Sequence, residues 1–237
     1  MAIIPARAGS KRILNKNIRL FNGKPLIYYA IKQALNCSFF DRVLVDTDNK
    51  KIAEIAKKYG ADVPFLRPVK LAGDKSRIAD ATAHLLERLK MEQNYESDVI
   101  AIVQSTSPLR EEGDIEACYK IMLNPRVKSV ATVCQASPWL WNFSSNNGLL
   151  LVNRGAINST NTSEIRKGYF LNGAVFMCRT DTFMKSKKSV YFYNGETIGV
   201  VCPSWRSVDL DYPEEWVLAE FIYKNKKRIK KAMELFK

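Results

Sequence analysis

Apolar residues recur along this chain in two rhythms. Continuous short runs stand at Ile3-Ile4, Val43-Leu44-Val45 and Val99-Ile100-Ala101-Ile102-Val103. Such runs suit strands covered on both faces. Between them the spacing is helical. Leu26, Ile27, Ala30, Ile31, Ala34 and Leu35 predict a helix over Pro25 to Cys37, with Pro25 in its first turn. Ile52, Ile55 and Ala56 predict a second, capped by Asn49 and stopped by Gly60. Ile78, Thr82, Leu85, Leu86 and Leu89 share one side of a third helix, and Ile115 to Leu123 forms a fourth. Val63 to Leu66 reads as extended, and Ser129 to Cys134 as a strand.

Strands alternating with helices over the first 135 or so residues predict an α/β fold with a doubly wound, mainly parallel sheet. The rhythm breaks between Ser137 and Ser163, which holds Trp139, Trp141, Phe143 and Leu149-Leu150-Leu151 around Asn146-Asn147-Gly148. Asn-Gly between apolar runs predicts a hairpin. Its aromatic surface needs a cover, either its own domain or a second copy of the chain. Tyr169 to Cys178 and Val200-Val201 return to strand, and Tyr212 to Phe236 reads as one closing helix.

At 237 residues the chain is long enough to bury a sizeable core as one domain. No apolar run approaches the roughly 20 residues of a membrane span, and Arg7 interrupts the apolar start where a signal peptide would need continuity. The five cysteines, Cys37, Cys118, Cys134, Cys178 and Cys202, are scattered without a C-x-x-C pair. They read as reduced, buried thiols of a cytoplasmic protein. The net charge of +13 sits partly in the tail, at Lys224, Lys226, Lys227, Arg228, Lys230 and Lys231. No aromatic platform is interleaved there, so the tail reads as a solvated helix face, with neither nucleic acid nor membrane as partner. The remaining positive charge suits a site that handles two anions.

One such site is legible after the first strand. Pro5 cannot donate to a ladder and ends it. Ala8, Gly9 and Ser10 then let a backbone approach a ligand, among Arg7, Lys11, Arg12 and Lys16. A loop with free amides and cations at the carboxyl end of a strand suits a polyphosphate. Neither a Walker loop nor a G-x-G-x-x-G fingerprint is present. Far downstream, the alternation of Val208-Asp209-Leu210-Asp211 puts two carboxylates on one face, about 7 Å apart if extended. They can share a divalent ion with substrate phosphates, magnesium being the natural choice. Asp211 could equally cap the helix opened by Pro213. Gln104, directly after the central strand, can donate and accept toward a base or a sugar amide.

Pro5-Ala6-Arg7-Ala8-Gly9-Ser10-Lys11 followed by Lys16-Asn17-Ile18 resembles the opening signature of the CMP-sialic acid synthetases, the acylneuraminate cytidylyltransferases and their legionaminic and pseudaminic acid relatives. The resemblance recurs at Arg67-Pro68 through Leu71-Ala72 and Asp74, at Gln104-Ser105-Thr106-Ser107-Pro108-Leu109-Arg110, at Asn172-Gly173-Ala174 and at Ser207 to Asp211. It implies a three-layer fold like that of nucleotide-diphospho-sugar transferases. One domain spans 1–237, with 137–170 inserted for dimerisation and the sugar site. It implies a homodimer, CTP and a nonulosonic acid as substrates, and magnesium or manganese held by Asp209 and Asp211. Arg7, Lys16 and Asp211 would be catalytic. Ala8, Gly9, Ser10, Asn17 and Arg67 would hold the nucleotide, and Gln104 and Asn172 the sugar. Arg166 would supply the cation for the sugar carboxylate, because Phe170 stands where the family often places one. Ser105, Ile78 and Arg12 also depart from the usual Pro, Ser and Gly.

Transfer of CMP from CTP to a nine-carbon 2-keto sugar acid is therefore the expected activity. A Kdo-type or other sugar nucleotidyltransferase would share the start of the chain and differ around Gln104 and Asn172. A nucleotide- or RNA-binding module would have no need of Asp209 and Asp211.

Overall fold

The computed structural model describes residues 1–137, 139–152, 167–186 and 196–235. Ile3 and Ile4 lie in β1 (Ala2–Pro5), which pairs in parallel with β4 (Val43–Asp46) and with β5 (Val99–Val103). Two short strands, β2 (Leu20–Phe21) and β3 (Lys24–Pro25), make a separate antiparallel ribbon. Pro25 stands at the cap of α1 (Leu26–Leu35) with an extended ψ of 139°, so the helix begins one residue later than the spacing predicts. The side chain of Asn49 accepts from Ile52 N–H at 3.1 Å to open α2 (Lys50–Lys58), and Gly60 ends that turn at φ +97°. Asp62 and Leu66 bridge to Leu44 and Thr47, so the extended segment flanks β4.

Next come α3 (Ile78–Gln93), ended by Asn94 at φ 47°, and α4 (Glu112–Met122). After these, β6 (Ser129–Ala136), the hairpin strands β7 (Trp141–Phe143) and β8 (Leu149–Leu151), β9 (Gly168–Arg179), α5 (Thr180–Lys185) and β10 (Thr197–Val201) follow. The main sheet has six strands in the order β10-β6-β9-β5-β1-β4. Within it β9 is antiparallel to both neighbours, while β10 pairs in parallel with β6. The sheet is thus mainly parallel, as the alternation predicts.

Alternation along the central strands divides the core into layers. Ile4, Val43 and Val45 join α1, α2 and α4 on one side, whereas Ile3, Leu44, Ile100 and Ile102 join α3 and α5 on the other. A third cluster, with Phe21, Leu26, Tyr29, Leu210 and Trp216, lies under the closing helix.

That closing helix is divided, contrary to the single helix expected. α6 (Pro213–Lys224) gives way to α7 (Lys226–Leu235) at Asn225. The Asn225 amide side chain donates to Phe221 O at 2.8 Å, and its backbone N–H also turns to Phe221 and Ile222. A side chain competing for helix carbonyls at this point bends the chain. No helix among the described residues is long and apolar enough to cross a membrane. All five cysteines are buried and free.

Candidate functional site

The carboxyl ends of β1 and β5 open onto one cavity of about 600 Å³. Its walls carry Arg7, Lys11, Arg12 and Lys16 from the loop after β1, Gln104 and Thr106 from the loop after β5, and Asp209 and Asp211 from the segment before α6. This is the crevice that open α/β sheets offer to ligands.

The loop after β1 is tied down by its own polar groups. Asn17 is buried; its Nδ2 donates to Arg7 O at 2.9 Å, and its Oδ1 accepts from the Ser105 hydroxyl at 2.6 Å. Serine at position 105, where the resemblance expects proline, therefore supplies a bond across the site. Ala8 N–H donates to Asp48 Oδ1 at 2.9 Å, and Ser10 N–H folds back to Ala8 O at 2.8 Å. Two of the amides expected to face phosphate are thus already engaged, one with the segment after β4 and one within the loop. A Cβ on Gly9 would meet nothing within 4 Å, so no internal contact calls for glycine there.

The four cations divide between two carboxylates. Lys16 Nζ donates to Leu210 O at 2.6 Å and to Asp211 Oδ1 at 3.0 Å, and Arg12 reaches Asp211 Oδ2 at 3.0 Å. On the opposite wall Arg7 pairs with Asp74 Oδ1 at 3.2 Å, and Lys11 pairs with Asp74 Oδ2.

Asp211 does not cap the closing helix. Glu215 does so, accepting from the N–H groups of Asp211 and Tyr212 at 2.6 and 2.7 Å. Residues 208–211 form no ladder, yet Leu210 is fully buried while Asp209 and Asp211 both face the cavity. Leu210 N–H donates to Thr106 O at 2.8 Å, and Asp211 N–H to Asp209 O at 3.0 Å, which pinches the segment and keeps both carboxylates on one side.

Their environments push the two acids apart. Burial raises the Asp209 pKa and the charge of Asp211 adds to the rise, with the nearby Thr106 hydroxyl opposing it. Burial alone would raise Asp211 too, but the hydrogen bond and charge of Lys16, with Arg12 beside it, hold it below the usual carboxylate range. Asp209 Oδ1 is buried with no hydrogen-bond partner. An uncompensated buried carboxylate oxygen is costly, and a hard cation shared with Asp211 would satisfy it. Among the described residues no group of three or more His, Cys, Asp or Glu side chains could hold a metal ion. Phosphate oxygens and water would have to complete the shell.

Arg67 lines the cavity but is held in a buried pair. Its Nε and Nη2 reach Asp46 Oδ2 at 3.0 and 2.7 Å, and Nη2 also reaches Asp46 O at 3.0 Å. Asn172 is buried as well: its Nδ2 donates to Ser207 Oγ at 3.0 Å and its Oδ1 accepts from Ala174 N–H at 3.2 Å. These contacts brace the segment leading to Asp209. Between Ala131↔Phe176 and Val133↔Leu171, β6 advances two residues and β9 five. The resulting bulge sets Gly173 behind Asp209 and Gln104, while Asn172, expected to meet the sugar, is buried and does not line the cavity. Gly173 has φ +71°, and a Cβ there would lie 3.1 Å from Asp209 Oδ2 and 3.6 Å from Gln104 Nε2. The backbone angle favours glycine, and a Cβ would press on the Asp209 carboxylate.

Arg110 is fully buried and spans Gln104 O at 2.9 Å, Ala174 O at 2.8 Å and Gln33 Oε1 at 2.7 Å, with burial lowering its pKa to about 10. It fixes Gln104 beside β9. Arg166, expected to meet the sugar carboxylate, lies outside the described residues. Asp74, Ser105 and Arg110 lie in segments the resemblance covers but were given no role of their own, and Asp46 and Asp48 were given none either. The signal for Asp74 was an acid downstream of a cluster of unpaired cations.

A family model described as "Cytidylyltransferase" matches residues 1–152. The chain is 33% identical over 223 residues to a CMP-N,N'-diacetyllegionaminic acid synthase of Legionella pneumophila, covering 93% of this chain and 94% of the relative. It is 28% identical over 227 residues to a pseudaminic acid cytidylyltransferase of Campylobacter jejuni, covering 94% and 96%. Among solved structures, a CMP:2-keto-3-deoxy-manno-octonic acid synthetase complexed with CTP superposes with TM-score 0.70 at 17% identity, covering 95% of this chain and 98% of that one. This last likeness concerns the fold.

Proposed function

Because the chain belongs to the cytidylyltransferase family, we propose that its cavity joins CTP to a nine-carbon 2-keto sugar acid of the sialic, legionaminic or pseudaminic type, giving the CMP-sugar and pyrophosphate. The observation that carries this reading is the meeting, in one cavity beyond parallel strands, of four loop cations with Asp209 and Asp211. Such a site can take a triphosphate and a second anion together.

In the reaction the anomeric hydroxyl attacks the α-phosphorus and gives up its proton to solvent, and the bond to the pyrophosphate oxygen breaks. Negative charge grows on the phosphoryl and leaving oxygens. Arg7 and Lys16 stand where preformed positive charge neutralises it, and both must turn from their carboxylate partners toward phosphate. Arg7 offers a fork, Lys16 a point charge. Asn17, held between Arg7 O and Ser105, keeps the loop in place, and Ser10 with the Gly9 backbone borders the phosphates. Ala8 and Arg67 belong to the nucleotide side as supports, through Asp48 and Asp46. Gln104 presents its amide to the sugar, with Asn172 shaping the wall through Gly173 and Arg166 assigned to the carboxylate.

Magnesium or manganese would be held by Asp209 and Asp211, where the orphaned Oδ1 and the paired carboxylate fit a hard cation. When bound, it would neutralise phosphate charge and acidify the attacking hydroxyl.

A homodimer belongs to the same proposal. Trp141 and Phe143 of the hairpin are 44% and 75% exposed, and the exposed Leu149 lies opposite Phe143 in register. Surface of that kind marks an interface. The cytoplasm is the proposed compartment, which suits the five free thiols.

The test is pyrophosphate release from CTP with sialic, legionaminic, pseudaminic and Kdo acids, with magnesium, with manganese and with chelator. Turnover with a nonulosonic acid is expected. Turnover with Kdo alone would transfer the assignment to that reading, and CTP binding without turnover on any acid would overturn it.

A further inference from the structure

Asp74 stands in an unusual place. It lies in the loop between the 3-10 turn Val69–Leu71 and α3, yet both its oxygens are taken by cations of the loop after β1, Arg7 at 3.2 Å and Lys11 on the other oxygen. Arg7 also reaches Ala72 O at 3.4 Å. A second cavity of about 540 Å³ lies beside the first, and both have Ser10, Lys11, Gly73 and Asp74 in their walls. The Lys11–Asp74 pair therefore stands between the cavities, with Arg7 on the side of the first. The loop around Asp74 keeps its own shape: Ser76 Oγ donates to Lys70 O at 3.1 Å, and Ser76 N–H to Gly73 O at 3.0 Å. Nothing but these contacts with Arg7 and Lys11 engages the Asp74 carboxylate among the described residues.

We propose that Asp74 is a stand-in anion, occupying between Arg7 and Lys11 the place that the polyphosphate of the substrate takes. Binding of the triphosphate breaks both pairs and joins the two cavities; departure of pyrophosphate lets the carboxylate recapture the cations. Asp74 thus acts through Arg7 and Lys11 as a positioning residue. It keeps the cations ordered in the empty site and competes with the product for them. Asp211 holds the other two cations but has a second role with Asp209; Asp74 has no such partner acid. The inference rests on the phosphate reading of the loop after β1.

Calorimetry with inorganic pyrophosphate, in chelator, separates the two. Asp74→Asn is expected to bind pyrophosphate about three- to tenfold more tightly than the parent, the scale on which half-exposed ion pairs compete. It should also show correspondingly stronger product inhibition by pyrophosphate during turnover. Glu92→Gln, which removes one negative charge from the exposed Arg88–Glu92 pair, should bind as the parent does, excluding a general effect of net charge. Equal or weaker binding by folded Asp74→Asn, or tightening in Glu92→Gln to the same degree, would overturn the role of Asp74. A parent that binds no pyrophosphate, or binds it unchanged in Arg7→Ala, would instead remove the phosphate site itself.

Discussion

Arg67→Met tests whether the Arg67–Asp46 pair is part of the framework. The side chains are 4% and 5% exposed, and the guanidinium is joined to the carboxylate through Nε and Nη2. Methionine keeps the apolar stem but leaves Asp46 as a buried, uncompensated charge. Removing one partner of such a pair costs about 3–5 kcal/mol. In a chain of 237 residues, where 1 kcal/mol moves the midpoint about 2–4 °C, the melting midpoint should fall by roughly 6–20 °C.

The pH dependence has a definite sign. Burial already raises the Asp46 pKa, against the opposing charge of Arg67. Without Arg67 the rise is larger, so the folded state retains a proton that the unfolded state has released. Stability then falls as pH rises from the ordinary carboxylate range through the raised value. The deficit of Arg67→Met should be smaller near about pH 4.5 than near about pH 8. Asp46→Asn in the same background removes the charge and should recover half or more of the loss. Denaturant melts at both pH values measure all three quantities. A loss of less than about 1 kcal/mol, a deficit independent of pH, or no recovery in the double variant would refute the reasoning. Pyrophosphate binding, measured below the melting midpoint, then reports any direct nucleotide contact separately.

Asp211→Ala should abolish magnesium-dependent turnover with little loss of stability, because its carboxylate meets only cavity cations; retained turnover in a folded variant would remove the metal assignment. Arg7→Ala and Lys16→Ala should each lower kcat by about tenfold or more while leaving the KM for the sugar acid near the parent value, since their contacts strengthen as phosphoryl charge develops; steady-state kinetics at saturating CTP decides it. Trp141→Ser with Phe143→Ser should shift sedimentation from dimer to monomer at micromolar concentration, and a parent that is itself a monomer would refute the interface.

The local rules carried a long way in this chain. Ile3 and Ile4 fall on opposite faces of β1 because side chains alternate, and this alone separates the two helical layers. Asn49 caps α2 and Gly60 ends it through bonds made within a few residues, so their chemistry was legible from spacing. The loop cations and the two aspartates were legible as charged groups that could serve one site, because charge type needs no fold to be read, and they do line one cavity. Tertiary structure decided which charges meet. That Arg7 and Lys11 face Asp74 while Arg12 and Lys16 face Asp211 depends on contacts such as Arg7–Asp74 and Arg12–Asp211, 67 and 199 residues apart in the chain. That Arg67 spends its guanidinium on Asp46, and that Glu215 rather than Asp211 caps α6, depends on competition among acids brought together by packing. The break at Asn225 and the reversed direction of β9 were likewise beyond periodicity, which records which face is apolar but neither strand direction nor a side chain's choice among carbonyls.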